Sequence, residues 1–110
     1  AFHSEFMRPA EEGMINAIGE VAFRDPFIPV IANCTGEPLT TANQIKEELS
    51  YQLCNRVQWK RSIEFMVEAG VSNFVEMGPG RTLSALVRRI NPQVHVTPVN
   101  NLASIKRFVA

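Results

Sequence analysis

Asn73-Phe74-Val75-Glu76-Met77-Gly78-Pro79-Gly80-Arg81-Thr82-Leu83 is the stretch that decides the fold class. Its first five residues read as a short strand, and Gly78-Pro79-Gly80 turns the chain into a helix carrying Leu83, Leu86, Val87 and Ile90 at helical spacing. Asn91-Pro92 stops that helix, because a proline cannot continue the backbone ladder. Val94 to Val99 reads as another strand, and 101–109 as a last short helix with Leu102, Ile105 and Phe108 turned inward. A strand, a helix and a second strand in succession predict a parallel pair with a crossover.

The N-terminal half extends the same alternation. A first helix is expected from Ser4 or Pro9 to Glu20, with Met7, Ala10, Met14, Ala17, Ile18 and Val21 on one apolar face. Ser4 is placed to cap its first turn, and Pro9 fits near the start of the regular helix. Pro29 to Asn33 is a short apolar run, read as a buried strand followed by a loop over 34–38. Thr41-Ala42-Asn43-Gln44 has the spacing of a capping box and opens a helix with Ile45, Leu49 and Leu53 on one side. Asn55-Arg56-Val57-Gln58 suggests a second cap, for a helix with Trp59, Ile63, Met66 and Val67 as its core stripe and Gly70 at its end.

The totals exclude several classes of function. The chain has 110 residues and is 45% hydrophobic, which suits one small unit with a modest core. Eleven basic residues balance eleven acidic ones, so no general electrostatic argument favours nucleic acid or a membrane surface. There is no apolar run long enough to span a bilayer and no signal-peptide pattern. Two cysteines, Cys34 and Cys54, form neither a disulfide framework nor a metal motif and read as reduced structural thiols. No metal site is expected.

In an open parallel sheet, function collects where strands end. Three loops qualify: after Asn33, at Gly78-Pro79-Gly80, and after Val99. The glycine turn has half of a dinucleotide fingerprint but lacks its third glycine and the acidic residue about twenty positions on, so it reads as a tight turn. There is no G-x-S-x-G nucleophile elbow. His3 and His95 stand far apart in the chain with no metal-type spacing; His95 reads as a satisfied strand residue. A lone histidine such as His3, near a helix start, is more often a surface or capping group than a catalyst.

The order and spacing of Ala1-Phe2-His3-Ser4, Met7-Arg8-Pro9-Ala10, 52–59 and 75–83 resemble the C-terminal part of malonyl-CoA:acyl carrier protein transacylases and related acyltransferase domains. The likeness covers nearly the whole chain. It implies a fold class: α/β, the C-terminal portion of an α/β-hydrolase-like acyltransferase large subdomain, with short parallel strands alternating with helices. Residues 1–110 would form one part of an acyltransferase domain, its nucleophile half and ferredoxin-like insert lying upstream. It implies an activity as well: malonyl transfer from malonyl-CoA to the phosphopantetheine thiol of acyl carrier protein, through an acyl-serine, in fatty acid biosynthesis.

The roles of His3, Gln52 and Phe2 follow from the resemblance alone, whereas Asn33 is placed by its strand. His3 is the implied general base and Gln52 supplies, through its backbone carbonyl, the group that orients it, so that substituting the Gln52 side chain would test little. Phe2 is implied to favour malonyl over methylmalonyl units by filling the space an α-methyl would need. Asn33, at a strand end, is a further candidate near substrate. No cofactor is implied; coenzyme A and phosphopantetheine act as substrate carriers. The implied partners are malonyl-CoA, acyl carrier protein and the missing N-terminal part of the same protein, in the cytoplasm, with no nucleic acid and no membrane. Arg88, Arg89, Lys106 and Arg107 would attract an acidic carrier, although solvated basic faces are common. Read as a fragment, the 110 residues are expected to be inactive alone, and loss of their partners to bare strand edges and apolar helix faces. Two other readings remain: a non-catalytic α/β interaction module, and the acyltransferase domain of a polyketide synthase.

Overall fold

The computed structural model describes residues 2–110, and the chain divides into two compact units, Ala1–Ser62 and Ile63–Ala110. In the first unit a 3-10 segment, Glu5–Ala10, leads into helix α1, Glu11–Glu20. Pro9 lies in the 3-10 segment, just ahead of the regular helix. Ser4 occupies the N-cap position without a side-chain cap bond, contrary to expectation. The face predicted for α1 is only partly used. Ile18 is buried, Met7 and Met14 are half-buried, and Ala10, Ala17 and Val21 are exposed.

The predicted strand at 29–33 shrinks to β1, Val30–Ile31, which pairs antiparallel with β2, Pro38–Leu39. This corrects the expectation of a buried strand within a parallel sheet. Val30 is 47% exposed, because an apolar run is buried only if a second layer covers it. The connecting turn is tight. Ala32 N–H donates to Glu37 O at 2.9 Å and Gly36 N–H to Ala32 O at 3.0 Å, with Gly36 at φ 71°, a conformation that glycine adopts without strain.

Helix α2, Ala42–Gln52, starts where its capping box predicts. Thr41 accepts from Gln44 N–H, and the Gln44 side chain accepts in return from the Thr41 N–H. It packs against α1. At its far end the Asn55 amide donates to Tyr51 O at 2.8 Å. Asn55 therefore closes α2 rather than capping the next helix, because the last carbonyls of a helix lack intrahelical donors.

Helix α3, Trp59–Glu68, contains the boundary between the units. It ends at Gly70 as expected: Val71 N–H donates to Met66 O and Gly70 N–H to Val67 O, both at 2.9 Å, the pattern of a Schellman cap. The second unit then forms a β-α-β arrangement. Strand β3, Asn73–Met77, and strand β4, His95–Val99, pair in parallel from Asn73 opposite His95 to Met77 opposite Val99. Helix α4, Thr82–Ile90, packs on both strands and buries Val87 and Ser84.

Helix α5, Leu102–Val109, packs on β4 behind an Asn101–Ser104 capping box. Its apolar side is not inward, as the periodicity suggested. Leu102 is 67% exposed and, with Ile105 and Phe108, lines an open groove of about 620 Å³ beside Met77 and Val99. In the first unit Phe6, Phe27 and Ile28 are likewise exposed. The helix periodicity is genuine, but the residues described here do not cover it.

Candidate active site

The C-terminal end of α2 gathers the residues of interest. Its last carbonyls have no intrahelical donors, so each needs one from elsewhere. Tyr51 O takes the Asn55 amide. Leu53 O takes the backbone N–H of His3 at 3.0 Å. Gln52 O lies 2.7 Å from His3 Nδ1. A carbonyl can only accept, so Nδ1 carries the proton of the neutral ring and Nε2 holds the free lone pair.

His3 is half-buried, and it is the one described non-glycine residue with positive φ, at 62°. Such a conformation persists only where surrounding contacts determine it. Here the backbone bond to Leu53 O and the ring bond to Gln52 O hold the residue on both sides. The same contacts suit a purely structural cap, since a helix C-terminus attracts donors and cations. What a cap alone does not need is an imidazole with one nitrogen fixed and the other left basic.

Asn33 joins this cluster from the loop after β1. Its Nδ2 donates to Gln52 Oε1 at 2.7 Å, and its carbonyl accepts from Gln58 N–H at 2.7 Å. The Gln52 side chain is thus hydrogen-bonded in its own right, beside the carbonyl that meets His3. No periodicity signalled the pair; one residue lies in the loop after β1 and the other ends α2, nineteen positions on. Phe2 adjoins His3 but is 70% exposed, and Ala1, the first residue of the motif, lies outside the described residues.

Both cysteines are free. Burial and the neighbouring Glu48 carboxylate push the Cys34 thiol up to about 11, which keeps it neutral and poorly nucleophilic. Cys54 is buried. His95 is exposed at the start of β4, not packed as a structural residue; its backbone N–H donates to Ser72 O.

At the strand ends of the second unit, Gly78 N–H donates to Val99 O and the Asn100 amide to Gly80 O, so the two predicted loops meet there. Glu76 accepts from the hydroxyl and N–H of Ser84 and from Leu83 N–H, which anchors the first turn of α4. Among the described residues no cluster of His, Cys, Asp or Glu is arranged to hold a metal ion, and no helix is long and apolar enough to cross a membrane.

No protein-family model matches the chain. Individual proteins do. The malonyl CoA-acyl carrier protein transacylase of Bacillus subtilis is 35% identical over 105 residues, 96% of this chain and 33% of its own length. The chain is homologous to the malonyl CoA-acyl carrier protein transacylases. A crystal structure of acyl-carrier-protein S-malonyltransferase from Bartonella henselae superposes on this chain with a TM-score of 0.91 at 34% identity, over 98% of this chain and 34% of that one. A malonyl-transacylase solved in complex with its type II polyketide synthase acyl-carrier protein matches with a TM-score of 0.88 at 33% identity, over 96% of this chain and 34% of that one. The chain therefore spans about a third of the length of the relatives it matches.

Proposed function

We propose that these residues supply the histidine base of a malonyl-CoA:acyl carrier protein transacylase, the carboxyl-terminal part of an α/β-hydrolase-like acyltransferase domain. The observation that carries the reading is the bond between His3 Nδ1 and the Gln52 carbonyl, which leaves Nε2 basic. The nucleophilic serine comes from outside the 110 residues, which contain no G-x-S-x-G elbow.

In the first half-reaction His3 Nε2 takes the proton of the serine hydroxyl as its oxygen attacks the malonyl thioester carbonyl. The C–S bond then breaks, and the imidazolium returns the proton to the coenzyme A sulfur. In the second, Nε2 takes the proton of the phosphopantetheine thiol, whose sulfur attacks the acyl-serine; the serine oxygen leaves with that proton. Each half-reaction returns the ring to its starting state, which is the logic of a ping-pong exchange. The carbonyl orients the ring and offsets part of the imidazolium charge, more weakly than an aspartate would.

Phe2 sits next to the base, where its ring would crowd an α-methyl on the acyl group. Acyl carrier protein is the acceptor in this reading, supported by the relative solved with its carrier. That carrier serves a polyketide synthase, so the same chemistry fits fatty acid or polyketide synthesis. The exposed apolar faces at Phe6, Phe27 and Leu102 would be covered by the remainder of the domain, and a cytoplasmic location belongs to the same reading.

The test is intact mass spectrometry of the polypeptide that carries this chain, before and after malonyl-CoA. The expected result is the gain of one malonyl group, with transfer to carrier protein slowed on the order of 10²- to 10⁴-fold by His3→Ala. Wild-type transfer by His3→Ala would remove His3 from the mechanism. No malonyl gain by the unaltered polypeptide would favour a binding role.

A further inference from the structure

We propose that Asn33 and the side chain of Gln52 form a positioning pair for the histidine base, resting on the functional reading above. The carbonyl that meets His3 belongs to the last residue of α2, where the backbone ladder has run out and nothing intrahelical fixes its direction. The same residue is tethered through its side chain. Asn33 Nδ2 donates to Gln52 Oε1 at 2.7 Å, and Asn33 is itself held by Gln58 N–H on its carbonyl at 2.7 Å.

The chain of bonds therefore runs from the start of α3 through the loop after β1 to the end of α2 and on to the imidazole. The Asn33 amide bonds to Gln52 Oε1, and it is the Gln52 carbonyl that meets the ring. Asn33 sets the last turn of α2, which aims the Gln52 carbonyl, which selects the Nδ1–H form of His3. Without the tether the terminal turn is free to fray, and the ring loses the bond that keeps Nε2 as the basic nitrogen. Both partners are half-buried amides, so the effect is one of direction and not of charge.

The experiment measures transfer from malonyl-CoA to acyl carrier protein by the whole polypeptide carrying Asn33→Leu, Gln52→Met, both together, or Gln52→Glu. Ring nitrogen-15 NMR of His3 and a melting curve accompany each variant. Asn33→Leu and Gln52→Met are each expected to lower kcat about 10- to 100-fold with KM unchanged, the range for lost outer-shell orientation. The double variant should lose no more than either single one. Gln52→Glu keeps an oxygen for the Asn33 amide and should retain most of the rate. The NMR signals should shift from a single Nδ1–H form to a tautomer mixture in the two impaired variants.

Wild-type kcat in both single variants would overturn the proposal, as would additive losses or an unchanged tautomer alongside a lowered melting temperature. If Asn33→Leu fails to fold, Gln52→Met and Gln52→Glu decide the matter alone. His3→Ala separates the two levels. An active His3→Ala sinks the functional reading, whereas a dead His3→Ala beside fully active Asn33 and Gln52 variants sinks only the pair.

Discussion

Replacing Gly36 by alanine should destabilise the first unit by roughly 2–3 kcal/mol, and the structure says where each part of that cost arises. Gly36 has φ 71°, and an L-residue placed in the left-handed region costs about 1–2 kcal/mol from its own Cβ. The added carbon would also stand 2.9 Å from Arg61 Cγ, 3.1 Å from Arg61 Cβ and 3.2 Å from the Ser62 nitrogen. The outer Arg61 side chain can swing aside at small cost, since its ion pair with Glu37 is exposed. Arg61 Cβ and Ser62 N cannot, because Ser62 N–H is tied to Gln58 O at 3.0 Å. The 32–37 turn must give instead, weakening a bond such as Ala32 N–H to Glu37 O, and one such bond is worth about 1 kcal/mol. Gly70→Ala is the matched control: φ is 93°, but nothing lies within 4 Å of the new carbon, so only the backbone part applies. Urea titrations of both variants should show Gly36→Ala the more damaging by about 1 kcal/mol. Equal losses would refute the steric argument, and no loss in either would refute the backbone one.

Two further predictions concern pH. The Ser84 hydroxyl, with the Ser84 and Leu83 N–H groups, holds the Glu76 carboxyl below the ordinary carboxylate range. A depressed folded-state value contributes stability above the unfolded value, about 4.3, and loses it as pH falls through the folded one; melting curves should therefore show Glu76→Gln less stable at neutral pH, with the gap closing in acid. The Cys34 thiol is raised, so its contribution is complete below its ordinary value of 9.0 and is lost as pH climbs towards about 11. Alkylation of Cys34, followed by peptide mass, should reach half its maximal rate near pH 11 and shift to lower pH in Glu48→Gln.

Where local chemistry decides, the sequence was sufficient. Thr41 and Gln44 marked the start of α2, Gly70 the end of α3, and the β-α-β core followed from periodicity at 73–99. The failures share a different physics. Val30, Leu102 and Phe108 have the pattern of buried residues, and their burial depends on a covering layer that the pattern cannot see. Asn55 closes α2 instead of opening α3 because a short polar side chain between two helices can serve the carbonyls on one side or the N–H groups on the other. Here it chose Tyr51 O. His3 and Gln52 stood out only through resemblance, because forty-nine residues separate them and their bond uses a main-chain atom, which leaves no mark on side-chain identity.

The meeting of His3 with α2 joins stability and chemistry in one contact. A helix end must satisfy its last carbonyls, and His3 does so twice, by its backbone to Leu53 O and by its ring to Gln52 O. A lysine or arginine could satisfy them too, but neither would retain an acceptor nitrogen afterwards. Among donors able to serve this end, imidazole alone gives one nitrogen to the fold and keeps a second for proton transfer near neutral pH. The positive φ at residue 3 is the cost of bringing both groups to the same helix end, and it is tolerable because two bonds hold it. Replacing His3 should consequently disturb the end of α2 as well as remove the proposed base, so an activity loss is interpretable only beside variants, such as those at Asn33 and Gln52, that leave the imidazole in place.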